Sequence, residues 1–354
     1  MTKPHQARPA AAVPRAEPGP LGIGGEAPGG GPWRRGWRAL RRSPRVVVSA
    51  AILVVIVVLC LLAPLYADLV SGTDPFVANP VGSTVLDDGT TVPLLQPASR
   101  GVGVLPIGPT WQAHFLLGAD SDGRDVAARI LHGGRNTLVI GLLAGLVACA
   151  GGLVVGLLAG YAGGLVDGVL SRALDVVWAF PVLLLAISIS AISFTSGISL
   201  GFVRVGSGSL ALPILIIGVV YVPYVARPVR GAVLSVRAAD YVHAATSYGA
   251  GHGRIIRREI LPNVLSRVIV LFPLMVATAM LLESGLSFLG IGVRPPAASW
   301  GTIIEDGTQL LRNRPLMAIV PGALLALTVC VLNVLGDAIR DAFDPKAELR
   351  ARAR

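Results

Sequence analysis

The stretch that decides the fold is Ala239-Asp-Tyr-Val-His-Ala-Ala-Thr-Ser-Tyr-Gly-Ala-Gly-His-Gly-Arg-Ile-Ile-Arg-Arg-Glu-Ile-Leu-Pro262. It is polar, basic and compatible with helix, yet it lies between two long apolar runs. An apolar run of about 20 residues is long enough to cross the hydrocarbon core of a membrane as a helix. The stretch is therefore predicted to be a loop that connects two membrane-spanning helices.

The apolar runs recur along the whole chain. Only 14% of the residues are charged and the mean hydropathy is +0.70, whereas a soluble domain carries about a quarter charged residues. The pattern predicts an all-α, polytopic membrane protein with six transmembrane helices. The predicted spans lie near residues 46–66, 137–161, 176–196, 209–227, 264–284 and 316–336.

The placement of basic residues predicts the orientation of the chain. With both termini in the cytoplasm, the inside segments hold 22 Lys and Arg and the outside segments hold 8. This asymmetry follows the positive-inside rule, and the reverse orientation violates it. The net charge of +10 is thus a topology signal, and we expect no binding of nucleic acid.

The same pattern divides the chain into segments. Residues 1–45 are predicted to form a disordered, basic cytoplasmic tail. It ends in a juxtamembrane segment, 33–45, whose Trp and Arg side chains contact lipid headgroups, and residues 46–67 form the first span. Residues 68–136 are extracytoplasmic, with a hairpin predicted around Asp87-Asp88-Gly89 and a helix capped by Asp122 or Asp125. Residues 137–336 form a five-helix core that contains the loop 228–263, and residues 337–354 form a cytoplasmic tail.

The second predicted span carries a stripe of glycines at four-residue spacing. Small residues on one face let helix backbones approach closely in lipid, where packing drives association. The stripe predicts that this span is buried against neighbouring helices. Its members are Gly141, Gly145, Gly152, Gly156 and Gly160.

The chain lacks the residues that catalysis or nucleotide binding requires. Its only lysines, Lys3 and Lys346, do not follow a glycine-rich phosphate loop. The three cysteines are scattered, and no metal-ligand or catalytic spacing is present. The ionisable residues Asp175, Glu283 and Asp337 are placed at the edges of spans, which argues against an ion-coupled transporter. We therefore predict no catalytic residue, metal or cofactor on this chain, and an energy source outside it.

The loop itself has a helical pattern. Over residues 238–248, Tyr241, Ala244, Ala245 and Tyr248 share one face and form a ridge of small side chains flanked by tyrosines. Gly249 is predicted to end this helix, and a second short helix at 254–260 is predicted to end at Pro262. The ridge suits a groove on a partner protein, although a helix lying on the lipid surface fits the same pattern.

Several motifs together resemble the second permease of the dipeptide/oligopeptide/nickel branch of ATP-binding-cassette (ABC) importers. They lie in the order expected for the branch and cover roughly residues 45–345. They are Leu117-Gly-Ala-Asp-Ser-Asp-Gly-Arg-Asp125, Ala179-Phe-Pro-Val-Leu-Leu-Leu-Ala-Ile187, Asp240-Tyr-Val, Ala244-Ala245, Gly249, Arg254-Ile-Ile, Ile260-Leu-Pro-Asn263, Glu283-Ser-Gly-Leu-Ser-Phe-Leu-Gly290, Ser299-Trp-Gly301 and Leu335-Gly-Asp-Ala-Ile-Arg-Asp-Ala-Phe-Asp-Pro345.

The resemblance implies a type I ABC importer permease fold in the bacterial inner membrane. It implies a heterodimer with a homologous permease, two ABC ATPase subunits that bind ATP and Mg, and an extracellular substrate-binding protein. Di- or oligopeptides are the favoured cargo, with nickel or another small solute as the alternative and a non-transporting membrane scaffold as a further one. The implied ATPase-coupling residues are Asp240, Tyr241, Ala244, Ala245, Tyr248, Gly249, Leu261 and Pro262.

Overall fold

The protein is built from long helices that pack along one another. The computed structural model describes residues 43–97, 103–200, 203–206 and 208–343, so most of both predicted tails lies outside the described residues. Five helices are long and apolar enough to cross a membrane, and a bent helix pair makes up to six spans. The helices are α1 (Pro44–Leu61), α2 (Val126–Ala162), α3 (Gly164–Ala179), α4 (Val182–Ser196), α5 (Ala211–Arg237), α6 (Asp240–Ser247), α7 (His252–Phe288), α8 (Trp300–Gln309) and α9 (Leu316–Phe343). A short helical turn at Ala63–Leu65 and a π-helix at Tyr66–Ser71 follow α1.

The third predicted span, 176–196, is wrong as a single straight helix. The chain bends by 90° between α3 and α4, because Phe180 and Pro181 adopt extended backbone angles. Proline disfavours helical geometry in the residue before it, so the helix ends there. Only the 15-residue α4 lies beyond the bend, and the sixth span exists only when α3 and α4 are taken together.

The predicted hairpin in the segment 68–136 is confirmed. β1 (Ser83–Val85) pairs antiparallel with β2 (Thr91–Pro93) around the Asp87-Asp88-Gly89 turn, in which Gly89 has a positive φ of 81°. β3 (Leu95–Pro97) pairs with β4 (Val104–Pro106), and β5 (Ile198–Leu200) pairs with β6 (Val203–Val205) after α4. These short strands are absent from an all-α description; β1–β4 precede α2, and Val205 of β6 packs in an apolar cluster with residues of the helices.

The second span is longer at its start than the sequence predicted. α2 begins at Val126 rather than at 137 and runs for 37 residues, so the predicted capped helix and the span are one element. Of the two candidate caps, Asp125 accepts hydrogen bonds from the backbone N–H groups of Ala127 and Ala128. This carboxylate satisfies two of the donors that every helix N-terminus leaves unpaired.

The glycines of α2 lie where other helices cross it. An added Cβ at Gly145 would approach Val276 of α7 within 2.9 Å, and one at Gly152 would approach Val225 of α5 within 2.4 Å. At Gly156 the nearest atom is a backbone carbonyl oxygen of α5, at 2.6 Å. Gly141 and Gly160 meet Met280 of α7 and Val233 of α5 in the same way. α2 is thus the central helix, with α7 against its first half and α5 against its second.

Helix α3 is held differently, since Leu174 is its only buried residue. The guanidinium of Arg230 in α5 donates two hydrogen bonds to the Asp167 carboxylate, at 2.5 and 2.6 Å. Arg227 donates to Asp175 at 2.7 Å and also lies 4.1 Å above the ring centroid of Trp178. The Trp178 ring also stacks on Tyr224 of α5, with 4.3 Å between the ring centroids, so ion pairs and aromatic stacking hold α3 against α5.

Candidate functional site: the loop between α5 and α7

The loop stretch folds into helix α6 and a sharp turn. α6 runs from Asp240 to Ser247, slightly shorter than predicted. Gly249 ends it in the left-handed region, with φ of 79°, and Ala250 donates its backbone N–H to the Ala245 carbonyl at 3.0 Å. Glycine adopts this backbone geometry without the steric cost that a Cβ imposes. The turn directs the chain back toward the membrane-spanning part.

A buried apolar side chain anchors α6 to the rest of the protein. Val242 is 4% exposed and packs in a cluster with Val233 of α5 and with Ile255, Ile260 and Val264 of α7. The opposite face of α6 projects away from this cluster. This apolar anchor therefore joins α6 to the end of α5 and to the start of α7.

The predicted ridge is an outward face of α6. Tyr248 is 92% exposed and Tyr241 is 47% exposed, while Ala244 is exposed and Ala245 is partly exposed between them. Ala244 and Tyr248 are its most open part, while Tyr241 also contacts Asn263 of α7. A row of small side chains between two aromatic rings is a shape that admits close approach of another protein surface.

Three of the predicted coupling residues contact α7 or belong to it. The Tyr241 hydroxyl accepts a hydrogen bond from the Asn263 side chain at 3.3 Å, so this ring leans toward α7. Leu261 and Pro262 lie inside α7, because its first turn, the π-helical turn Ile256–Ile260 and the segment Leu261–Phe288 form one continuous 37-residue helix. The prediction that a separate short helix ends at Pro262 is wrong, since proline is tolerated at the start of an α-helical segment.

The loop stands clear of the apolar part of the bundle. In α7 the uncharged stretch begins after Arg267, and Arg254 lies thirteen residues before it, or about 20 Å along a helix. Polar headgroups occupy only roughly 5–8 Å on each side of a bilayer. Arg254, Arg257 and Arg258 are exposed on this projecting part, and no described carboxylate forms an ion pair with them.

A second polar group lies at the opposite end of the bundle, at the start of α2. The buried Asp120 carboxylate contacts Arg124 at 2.7 Å and Arg129 at 3.2 Å. Arg129 also contacts Asp306 of α8 at 3.4 Å. The motif at 117–125, together with Arg129, thus makes a charged joint between α2 and α8, where the sequence predicted only a helix cap.

Burial raises the pKa of two carboxyl groups at this end of the bundle. It raises the pKa of Asp306 to about 6, although Arg129 counteracts it. Burial also raises the pKa of Asp125, against hydrogen bonds from the backbone of Ala128, Phe115 and Ala127 and from the Thr73 side chain. Taking a carboxylate out of water disfavours its charged form unless partners compensate.

Glu283 is buried inside the bundle, whereas the sequence placed it at a span edge. Its side chain is 0% exposed and accepts hydrogen bonds from the hydroxyls of Ser287, at 2.7 Å, and Ser284, at 3.3 Å. Ser299 and Thr137 also hydrogen-bond to it. The carboxylate therefore joins α7, α2 and the start of α8. The serines at i+1 and i+4 were the signal in the sequence, but the partners from other helices were not visible there.

The chain matches two family models. Residues 152–349 match the model described as "Binding-protein-dependent transport system inner membrane component". Residues 31–79 match the "N-terminal TM domain of oligopeptide transport permease C". The first match covers more than half of the chain, including the loop between α5 and α7.

Curated relatives match over most of their length. The dipeptide transport system permease protein DppC of Alkalihalophilus pseudofirmus is 33% identical over 315 residues, which are 89% of this chain and 90% of the relative. The glutathione transport system permease protein GsiD of Pectobacterium atrosepticum is 38% identical over 239 residues, or 68% of this chain and 74% of the relative. Among solved structures, a chain of the inward-facing MetNI methionine ABC transporter has 20% identity and a TM-score of 0.49, covering 61% of this chain and 96% of that chain.

Proposed function

Because the chain belongs to the family of binding-protein-dependent transport system inner membrane components, we propose that it moves di- or oligopeptides across the bacterial inner membrane. Members of this family are membrane-spanning permease subunits of ABC importers, and ATP hydrolysis takes place on separate subunits. The importer works with ATPase subunits and with a substrate-binding protein. The observation that carries the proposal is the match of 33% identity along nearly the whole chain.

Peptide cargo is supported by the names of the relatives. The proteins of Alkalihalophilus pseudofirmus and Pseudomonas aeruginosa that match are named as dipeptide and di/tripeptide permeases, and another is named for glutathione. No comparable observation favours nickel or a non-transporting scaffold. The centres of the predicted spans carry no charge, which suits a weakly selective path, and selection is left to the binding protein.

The assembly proposed here has a homologous permease beside this chain and two ATPases, which hold ATP and Mg, below it. The asymmetry of 22 to 8 basic residues supports placing both termini and the loop between α5 and α7 in the cytoplasm. The loop then projects beyond the headgroups toward the ATPases.

Within this assembly the ridge on α6 is the ATPase contact. Its exposed face supports docking, and its Val242 anchor supports transmission of force to α5 and α7. Closure of the ATPases on nucleotide would push α6 and shift the cytoplasmic ends of these two helices. Binding energy at one surface is in this way coupled to the equilibrium between two conformations of the permease.

The proposal is tested by uptake in a strain that lacks this gene. Restoring the wild-type gene is expected to rescue uptake of labelled di- and oligopeptides and not of radiolabelled nickel. Ala245→Arg places a long charged side chain on the ridge and is expected to abolish peptide uptake and ATPase co-purification, while the protein still inserts in the membrane.

The matched control is Gly168→Arg. It adds the same side chain on α3, where an added Cβ meets nothing within 4 Å, and it is expected to retain ATPase co-purification. Wild-type co-purification by the Ala245→Arg protein would show that the ridge is not the contact. Rescue of nickel uptake without peptide uptake would contradict the peptide assignment.

A further inference from the structure

A cleft opens between α7 and α9 on the side of the molecule that carries α6. It has a volume of about 760 Å³. Its inner wall is apolar and includes Val270, Leu271 and Leu274 of α7. Its mouth is polar and basic, with Arg267 of α7 on one side and Arg340 of α9 on the other. The cleft thus changes from apolar to cationic along the direction of the helices.

The mouth lies at the depth of the lipid headgroups. Residues 316–336 of α9 carry no charge, and the twenty residue steps between its ends span about 30 Å as helix, the thickness of the hydrocarbon core. Arg340 lies one turn beyond the end of that stretch. On α7 the uncharged stretch ends at Arg267. Two independent helices therefore place a guanidinium at the boundary between hydrocarbon and headgroups.

Among the described residues, the charges around the mouth are not balanced. None of them forms an ion pair with Arg267 or Arg340, and both arginines are exposed. Asp337 is the acidic residue in the described lining of the cleft, so two cations face one anion there. Asn263 is already engaged, because its side chain donates to Tyr241 and to the Glu259 carbonyl. Exposed guanidiniums at this depth attract anionic lipid headgroups.

We propose that the cleft binds an anionic phospholipid of the cytoplasmic leaflet. Its phosphate lies between Arg267 and Arg340, and one acyl chain lies against the apolar wall. Guanidinium groups bind phosphate oxygens through paired hydrogen bonds, and the wall removes the chain from contact with water. The choice of leaflet rests on the proposed function, because that function sets the orientation.

The lipid would also contact helix α6, which is proposed to bind the ATPase. Tyr241, the first ridge residue of α6, lines the same cleft. A bound headgroup would therefore contact the first turn of α6, the helix that is proposed to bind the ATPase. Lipid bound in the cleft is expected to stabilise the contact between α6 and α7.

The experiment uses the complete transporter, purified with its partner subunits and washed in detergent. Lipids that remain bound are identified by native mass spectrometry after reconstitution with phosphatidylcholine and phosphatidylglycerol. The wild-type complex is expected to retain phosphatidylglycerol. The double variant Arg267→Gln, Arg340→Gln is expected to retain it roughly tenfold or more weakly, since each cation near the membrane surface contributes to attraction of an anionic lipid.

Arg257→Gln is the matched control for lipid retention. It removes the same charge from α7 but at a position beyond the headgroup layer, so retention is expected to equal that of wild type. Equal retention by the double variant and wild type would overturn the proposal, as would displacement of the lipid by millimolar dipeptide, which would assign the cleft to cargo. Peptide uptake by the wild-type complex is measured separately, so failure of lipid binding is distinguishable from failure of the proposed function.

Discussion

At the scale of single residues, the protein places charges inside the helix bundle and surrounds them with partners. Glu283 is enclosed by hydroxyl groups, and Arg129 lies between Asp120 and Asp306. Removing every partner of such a charge leaves it buried without compensation, whereas Arg129 keeps its contact with Asp120 when Asp306 is replaced. These groups lie between helices that are distant in sequence, so they determine which helices meet.

Asp306 provides a test of this balance. Its pKa is raised to about 6 in the folded protein, so the folded state binds a proton more tightly than the unfolded chain, and stability falls as pH rises through that range. Asp306→Asn removes the ionised group. We expect it to raise the free energy of unfolding by about 1–3 kcal/mol at pH 7.5 and to have less effect at pH 5.

The change in stability is measured by thermal unfolding in nanodiscs at the two pH values, with intrinsic fluorescence as the signal. Asp68→Asn is the control, because Asp68 is exposed and forms no ion pair among the described residues. An equal increase in the stability of the Asp306→Asn protein at both pH values would contradict the role of the raised pKa.

At the scale of elements, α2 is the helix on which the others pack. Its glycines let α5 and α7 approach until backbone atoms are in contact, as at Gly156 and the Ala226 carbonyl oxygen. Helices gain van der Waals contact this way in lipid, where the hydrophobic effect does not drive them together. α3, by contrast, has a single buried residue and depends on ion pairs with α5.

The difference between α2 and α3 predicts opposite effects of the same substitution. Gly156→Ala places a methyl group 2.6 Å from a backbone oxygen, so the helices must separate, at a cost of about 1–3 kcal/mol. Gly168→Ala in α3 meets nothing within 4 Å, and alanine is favoured over glycine in a helix by about 0.5–1 kcal/mol.

The measurement is the thermal midpoint of each variant in the same nanodiscs. The midpoint of Gly156→Ala is expected to fall and that of Gly168→Ala to stay level or rise. A neutral Gly156→Ala would mean that the contact between α2 and α5 is loose enough to absorb a methyl group.

At the scale of the whole molecule, the projecting loop and the strand-bearing segment lie at opposite ends of the bundle. The strands β1–β4 and the charged joint of Asp120 lie at one end, and α6 with its arginines lies at the other. In the proposed orientation the first end meets the binding protein and the second meets the ATPases. The long helices α2, α5 and α7 connect the two.

Cysteine labelling tests this orientation. In a background without the three native cysteines, Ser83→Cys and Thr308→Cys are expected to react with an impermeant reagent on intact cells, since both positions are exposed. Ser247→Cys on α6 is expected to react only after permeabilisation. If only Ser247→Cys is labelled on intact cells, the proposed topology is reversed.

The fold and the candidate site were predictable from the sequence as far as they depend on local patterns. Apolar runs of membrane-spanning length, the hairpin at Asp87-Asp88-Gly89 and the helix with a terminal glycine at Gly249 each follow from neighbouring residues. Hydropathy and turn propensity are properties of short segments, so one chain suffices to recognise them. The family was predicted for the same reason, because its motifs are short and ordered.

Tertiary structure alone decided what several helices make together. The 90° bend at Phe180–Pro181, the continuity of α7 through Pro262 and the burial of Glu283 were not predicted. Each depends on atoms from elsewhere in the chain: the bundle sets the angle after a break, and Thr137 and Ser299 complete the surroundings of Glu283. The cleft between Arg267 and Arg340 arises in the same way, because residues 73 positions apart become neighbours only when α7 and α9 pack.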